Sequence, residues 1–258
     1  MTSDTPFAIV LLKDPDSVSV PQMAQFFRDQ WPNTAEISHE DSEPIPNPQG
    51  ALLIPFMIND FPAFVVVDHE SIPPKDLELA ILTAWYWPEA SQAVDQNRGF
   101  AMVALANVPL DPLEKTILLT KLAAALAKTC DSLAVFWPAA NLVHNPEAFF
   151  DSATVLREDA YPIELWVGFH AEREPDDTVS FFTRGMMNFG LPEIEVYNSS
   201  RELQFIYEHV YNIAHFLLEN GPVIKDGETV GTAETERFLV TVAPSRFDPR
   251  MKTMQIDM

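Results

Sequence analysis

The chain of 258 residues holds one cysteine, eight glycines and only 16 basic residues. Each scarcity excludes something. With Cys130 alone there is no intrachain disulfide, no Cys-rich zinc site and no CxxC redox pair. Eight glycines leave little for phosphate-binding loops, and neither a Walker A nor a GxGxxG pattern occurs. GxSxG and HExxH are missing as well. No apolar run approaches the roughly 18–20 residues of a membrane span. The longest, LAAALA, lies in a helical pattern between lysines. The opening MTSDTPFAIVLLKD has acids at both ends and no basic n-region, unlike a signal peptide. A cytoplasmic protein without cofactor or metal is expected.

Acidic residues are abundant: 38 against the 16 bases, a net charge of −22. Residues 1–129 carry 17 acids and 7 bases, net −10, and residues 130–258 carry 21 and 9, net −12. The charge is therefore spread along the chain. Such a surface repels phosphate backbones, which argues against a nucleic-acid partner, and attracts a basic protein. Hydrophobic residues at 47% suffice for a sizeable core.

The local patterns alternate between strand and helix. FAIVLL (7–12) reads as a buried strand, and Ser19 with Gln22 reads as a capping box opening a helix. SHEDSEPIPNPQ (38–49) is proline-rich loop. Apolar runs on either side of Asn59–Pro62 read as a hairpin, KDLELAILTAWYW (75–87) as a helix ending near Pro88, and GFAMVALANV as a strand. Asp111-Pro112-Leu113-Glu114 has the cap, proline and glutamate that start a helix. The second half gives strands at 132–137, 163–172, 178–189 and 193–197, a short helix at 145–156, a helix capped by Ser199 and Glu202, and a last strand at 236–243. The expectation is an α+β fold of two βαββαβ-like (ferredoxin-like) units: 1–110, a connecting helix 111–131, and 132–258.

Residues 183–231 carry the most distinctive stretch: Gly185, Phe189-Gly190, Pro192-Glu193-Ile194-Glu195, a helix, and Lys225-Asp226-Gly227-Glu228-Thr229-Val230-Gly231. The segment resembles the C-terminal domain of the bacterial family called domain of unknown function 4261. The resemblance implies no activity and no catalytic residues. By analogy with other small bacterial proteins it suggests an immunity-like protein beside a toxin.

Strand alternation would place Glu193 and Glu195 on one face, about 6–7 Å apart, able to share a proton or grip a cation or an arginine. Arg184 and Asn188 lie just upstream, and with Glu193 and Glu195 they are candidate partner-binding residues. Gly185 and Gly190 break the strand pattern and call for positive φ. His170, beside Trp166 and Phe169, is a candidate base without a nucleophile motif. Lys225-Asp226 opens an Asp-Gly turn, and Lys225 could reach Glu193 or Glu195. His209 and His215 stand six residues apart on one helix, about 120° around its axis, and cannot share a metal. Trp85-Tyr86-Trp87 cannot all face one core, so Trp85 and Trp87 are candidate interface anchors. No catalytic residue and no metal ligand is assigned. The leading expectation is a protein-binding module, immunity-like, that masks a basic toxin domain. A hydrolase or transferase using His170 with Glu193 and Glu195 is the first alternative. A homodimeric structural or regulatory module is the second.

Overall fold

The structure is a computed structural model and describes residues 6–39, 43–156, 161–231 and 236–258. Residues 1–5 of the opening segment and 40–42 of the expected proline-rich loop lie outside the described residues. The fold is α+β, with two sheets. Its contacts divide the chain into two units, Met1–Leu165 and Trp166–Met258. No helix among the described residues is long and apolar enough to cross a membrane.

The first unit runs β1 (Phe7–Asp14), α1 (Val20–Gln30), β2 (Ile37–Ser38), β3 (Ile45–Pro46), β4 (Leu52–Ile58), β5 (Phe61–Asp68), α2 (Glu78–Thr83) and α3 (Ala90–Asp95). It continues with β6 (Gly99–Leu105), α4 (Pro112–Thr129), β7 (Asp131–Trp137), β8 (Leu142–His144) and α5 (Pro146–Val155). The sheet order is β2-β4-β5-β6-β1-β7-β8, with β3 on β4, and every pairing is antiparallel. β6 and β7 both run antiparallel to the β1 strand between them, so β6-α4-β7 is a crossover of the split βαβ kind, whereas α2 and α3 join the antiparallel neighbours β5 and β6.

β1 is central because its apolar run can be buried on both faces: Ala8, Val10, Leu11 and Leu12 are all inaccessible. Leu11 faces the α2–α3 segment, whose Leu77, Ala80, Ala84, Trp87, Ala90 and Val94 pack with it and with Ala134 and Val143. By alternation Val10 and Leu12 face the other side, where α4 lies on β1, β6 and β7 and carries α1 and α5. Asn59 and Asp60 turn the β4–β5 hairpin with positive φ at both positions (45° and 69°), the geometry that suits the twist of paired strands.

Three expectations change. α4 is no connector: buried residues run all around it, from Thr116 to Ala127, so it is the core helix of the first unit. The strand at 132–137 and the 145–156 helix are expected in the second unit, but β7 pairs with β1, which moves the boundary to Leu165/Trp166. The helix expected over 75–87 stops at Thr83, leaving Trp85 and Tyr86 in a turn before α3. The helix starts are closer to expectation. Ser19 accepts from the Gln22 N–H (3.4 Å), and Asp111 with Glu114 forms a complete capping box.

The second unit runs β9 (Gly168–Arg173), β10 (Val179–Arg184), β11 (Ile194–Ser199), α6 (Leu203–Asn220), β12 (Thr229–Val230), β13 (Phe238–Pro244) and β14 (Lys252–Ile256). Its sheet order is β12-β13-β14-β11-β10-β9, antiparallel except for β11 with β14. Three strands thus precede its helix and three follow, so this unit does not repeat the element order of the first. α6 packs on β10 and β11 through the stripe Ile206, Val210, Ile213 and Leu217. Its N-cap is Glu202. Ser199 ends β11 instead, buried, with its hydroxyl on the Met258 carbonyl (3.0 Å).

One buried titratable group gives the first unit a pH dependence. His144 of β8 is enclosed, its Nδ1 2.7 Å from the oxygen of the Tyr86 hydroxyl, which donates its one hydrogen to the Val143 carbonyl (3.1 Å). Burial pushes its pKa down to about 4, against a smaller opposite pull from the Leu165 carbonyl. The folded value lies below the unfolded one, so this contribution is whole above about pH 6.5 and is lost as pH falls toward 4. The loss amounts to about 3 kcal/mol. Chemical denaturation at pH 7 and pH 4.5 should show a steeper decline in wild type than in His144→Leu; equal declines would contradict the assignment.

Candidate functional site

The two glutamates singled out in the sequence are buried, at 6% exposure for Glu193 and 3% for Glu195. Glu193 accepts from the Thr183 hydroxyl (2.7 Å), the Gly185 N–H (2.8 Å) and the Met187 N–H (3.3 Å). It thereby caps the short 3-10 turn Met186–Phe189. Glu195 accepts from the hydroxyls of Ser245 (2.5 Å), Thr253 (2.7 Å) and Tyr197. Ser245 in turn accepts from the N–H groups of Phe247 and Asp248, and the Tyr197 hydroxyl accepts from the Arg246 N–H. Burial, reinforced by the Glu195 carboxylate, raises the Tyr197 pKa to about 12, so the phenol stays a donor. Neither carboxylate is offered to a partner, because internal donors occupy both. The reading of Glu193 and Glu195 as partner-binding residues is corrected accordingly.

Nor do they join His170. His170, Phe182 and Glu195 lie in register on β9, β10 and β11, so about 10 Å and the Phe182 ring separate the imidazole from the carboxylate. His170 stacks on Phe182 (5.0 Å), which packs at a tilt against Phe247 (4.3 Å). Burial and then the Arg184 charge lower the His170 pKa, leaving the ring neutral at pH 7. The acid pair of the alternative catalytic reading is thus engaged elsewhere.

The remaining polar candidates are scattered. Arg184 and Asn188 are exposed, and the Asn188 amide donates to the Gly185 carbonyl (2.9 Å). Lys225 and Asp226 are exposed in the expected turn, with Gly227 at φ 82°. Asp226 accepts from the Val242 N–H and the Lys225 N–H donates to Glu228. The turn leads into β12, which pairs with β13, and residues 222–224 before it form no strand. His209 is buried and bonds the Phe205 carbonyl and Glu236. Burial, then Asp131, raises the Cys130 pKa to about 12, which leaves a poor nucleophile. Among the described residues no group of three His, Cys, Asp or Glu is placed to hold a metal ion.

The α2 segment contains an unusual surface. Trp87 is 8% exposed and belongs to the core around Leu11, so it is no interface anchor. Trp85 is 85% exposed, and Leu79, Leu82 and Tyr86 are exposed with it. The inward series is Leu77, Ala80, Ala84 and Trp87, and the outward series is Leu79, Leu82 and Trp85, both at near-helical spacing. Sequence reasoning missed Leu79, Leu82 and Tyr86. The signal was there: this short helical stretch is apolar on more faces than one core can cover. Tyr86 packs edge-on against Trp85 (6.2 Å), and its hydroxyl is tethered to β8.

The molecule is thus an α+β protein whose distinctive carboxylates are internal and whose apolar excess is external. Residues 182–257, from β10 through β14, match the family model described as a domain of unknown function (DUF4261). No curated protein and no solved structure matches the chain.

The glycines around Glu193 have positive φ, 124° at Gly185 and 71° at Gly190. A Cβ at Gly190 would touch nothing, so Gly190→Ala isolates the backbone effect and should cost about 1 kcal/mol or more. Glu195→Gln replaces an acceptor by an amide donor facing hydroxyls and should cost about 1–3 kcal/mol. Urea unfolding checks both; wild-type midpoints would contradict the internal role of this segment.

Proposed function

We propose that the protein is an acidic protein-binding module that masks a basic partner, in the manner of an immunity protein neutralising a basic toxin domain. The observation that carries this reading is Trp85, a large anchor residue held outward on a folded segment of a protein with net charge −22. The engagement of Glu193 and Glu195 by internal donors supports binding over the catalytic alternative.

The charge steers association over a reach of about 8–10 Å near physiological ionic strength. Association with the partner recovered from the source cell should slow markedly as salt rises, while dissociation changes less. Stopped-flow measurements across a salt series read both rates; a salt-indifferent on-rate, or a neutral or acidic partner, would contradict the reading. Trp85→Ala should speed dissociation, weaken affinity by about 2 kcal/mol, and leave the melting temperature unchanged because the indole is exposed.

A further inference from the structure

We infer that Leu79, Leu82, Trp85 and Tyr86 form one preorganised docking surface, and that its occupant is a basic protein segment presenting an apolar face between lysines or arginines. The inference rests on the binding reading above and specifies its surface and the chemistry of its partner.

The surface is continuous along the chain's own turns. After α2, the Ala84 N–H bonds the Ile81 carbonyl and the Trp87 N–H bonds the Ala84 carbonyl, so the segment continues in turns of three residues. Leu79 and Leu82, three apart on α2, share its outward side, and the turn that begins at Ala84 keeps Trp85 outward as well. Tyr86 closes the row against Trp85. It is also the positioning residue: its hydroxyl is fixed to the Val143 carbonyl and to the enclosed His144, so the turn is tied to β8 before any partner arrives. Preorganisation of this kind removes an ordering cost from binding.

Area and charge decide the occupant. The four side chains expose about 500 Å² of largely apolar surface, in the range of the largest, often functional, patch on a monomer. A stable interface needs about 800 Å² from each side, so the contact must spread onto the rim. The stretch of chain that carries the row is acidic. Between residues 70 and 98 the exposed charged side chains are Glu70, Asp76, Glu78, Glu89 and Asp95 against Lys75 and Arg98. A second copy of this chain would bring like charges together over the same area, whereas a basic segment would pair with them. The apolar row supplies binding energy and the acids select the partner.

The five tryptophans make the test specific. Trp31, Trp87, Trp137 and Trp166 are buried, so Trp85 is the exposed one. Collisional quenching of tryptophan fluorescence by acrylamide therefore reports on Trp85. The probe is a synthetic amphipathic helix with a leucine face and lysine flanks, compared with the same peptide carrying glutamate flanks. The lysine peptide should protect Trp85 from acrylamide, and the glutamate peptide should not. Leu79→Ala with Leu82→Ala, and separately Glu78→Lys with Glu89→Lys, should each weaken binding about tenfold or more. Tyr86→Phe, which keeps the ring and removes the tether, should weaken it less. Binding of the lysine peptide that leaves Trp85 open to quencher would overturn this surface while the acidic-binding reading stands. Equal protection by both peptides, or a concentration-dependent dimer of the protein that Trp85→Ala dissociates, would overturn the basic occupant. Failure of the lysine peptide to bind, beside a salt-sensitive natural complex that Trp85→Ala leaves intact, would overturn surface and occupant together.

Discussion

The second unit depends on one buried carboxylate. Glu195 sits on β11, and its three hydroxyl donors come from Tyr197 two residues on, from Ser245 after β13, and from Thr253 on β14. These contacts fasten the parallel β11–β14 pairing, the one non-antiparallel pairing of its sheet. They also pin the loop after β13, because Ser245 caps that loop's backbone while Arg246 lies over the Tyr197 ring (4.9 Å) and pairs with Glu174. A buried charge is tolerated only when polar partners replace its water. Here those partners are chain elements, so satisfying the charge and closing the fold are the same event. Glu193 does this on a smaller scale at the Gly185 turn. The family-matched segment 182–257 contains both carboxylates and every one of these hydroxyls.

The first unit distributes its apolar residues differently. β1 takes helices on both faces, which buries more apolar surface than a one-sided sheet could. The α2 segment has residues to spare even after that. Its inward side completes the core around Leu11, and its outward side remains apolar in contact with water. Exposed side chains of this kind add nothing to folding stability, so their row at helical spacing points to a contact made outside the chain. In the proposed binding role the acidic surface would supply the long-range part of recognition and the α2 row the short-range part.

Much of the frame was legible from local pattern. The continuous apolar run of β1, the Asp111 capping box and the two pattern-breaking glycines each stand in the structure where local physics placed them. The inward orientation of Glu193 and Glu195 was not legible, since acids at alternate strand positions read as a solvated face. What reverses that reading is donors at Ser245 and Thr253, some fifty residues away. β14 escaped for a related reason: five residues near the end of the chain acquire strand character only by pairing with β11 and β13. The split between Trp85 and Trp87 turned on where α2 stops, and that is set by tertiary packing of Ala84 and Trp87 rather than by propensity.

The central claim is that recognition resides on the α2 segment while the distinctive carboxylates of the second unit are internal. Hydrogen–deuterium exchange of the protein, free and in complex with its natural partner, compares the two regions in one experiment. The account predicts slowed exchange over residues 76–90 on complex formation and no change over 183–195. Protection over 183–195 with 76–90 unchanged would contradict it.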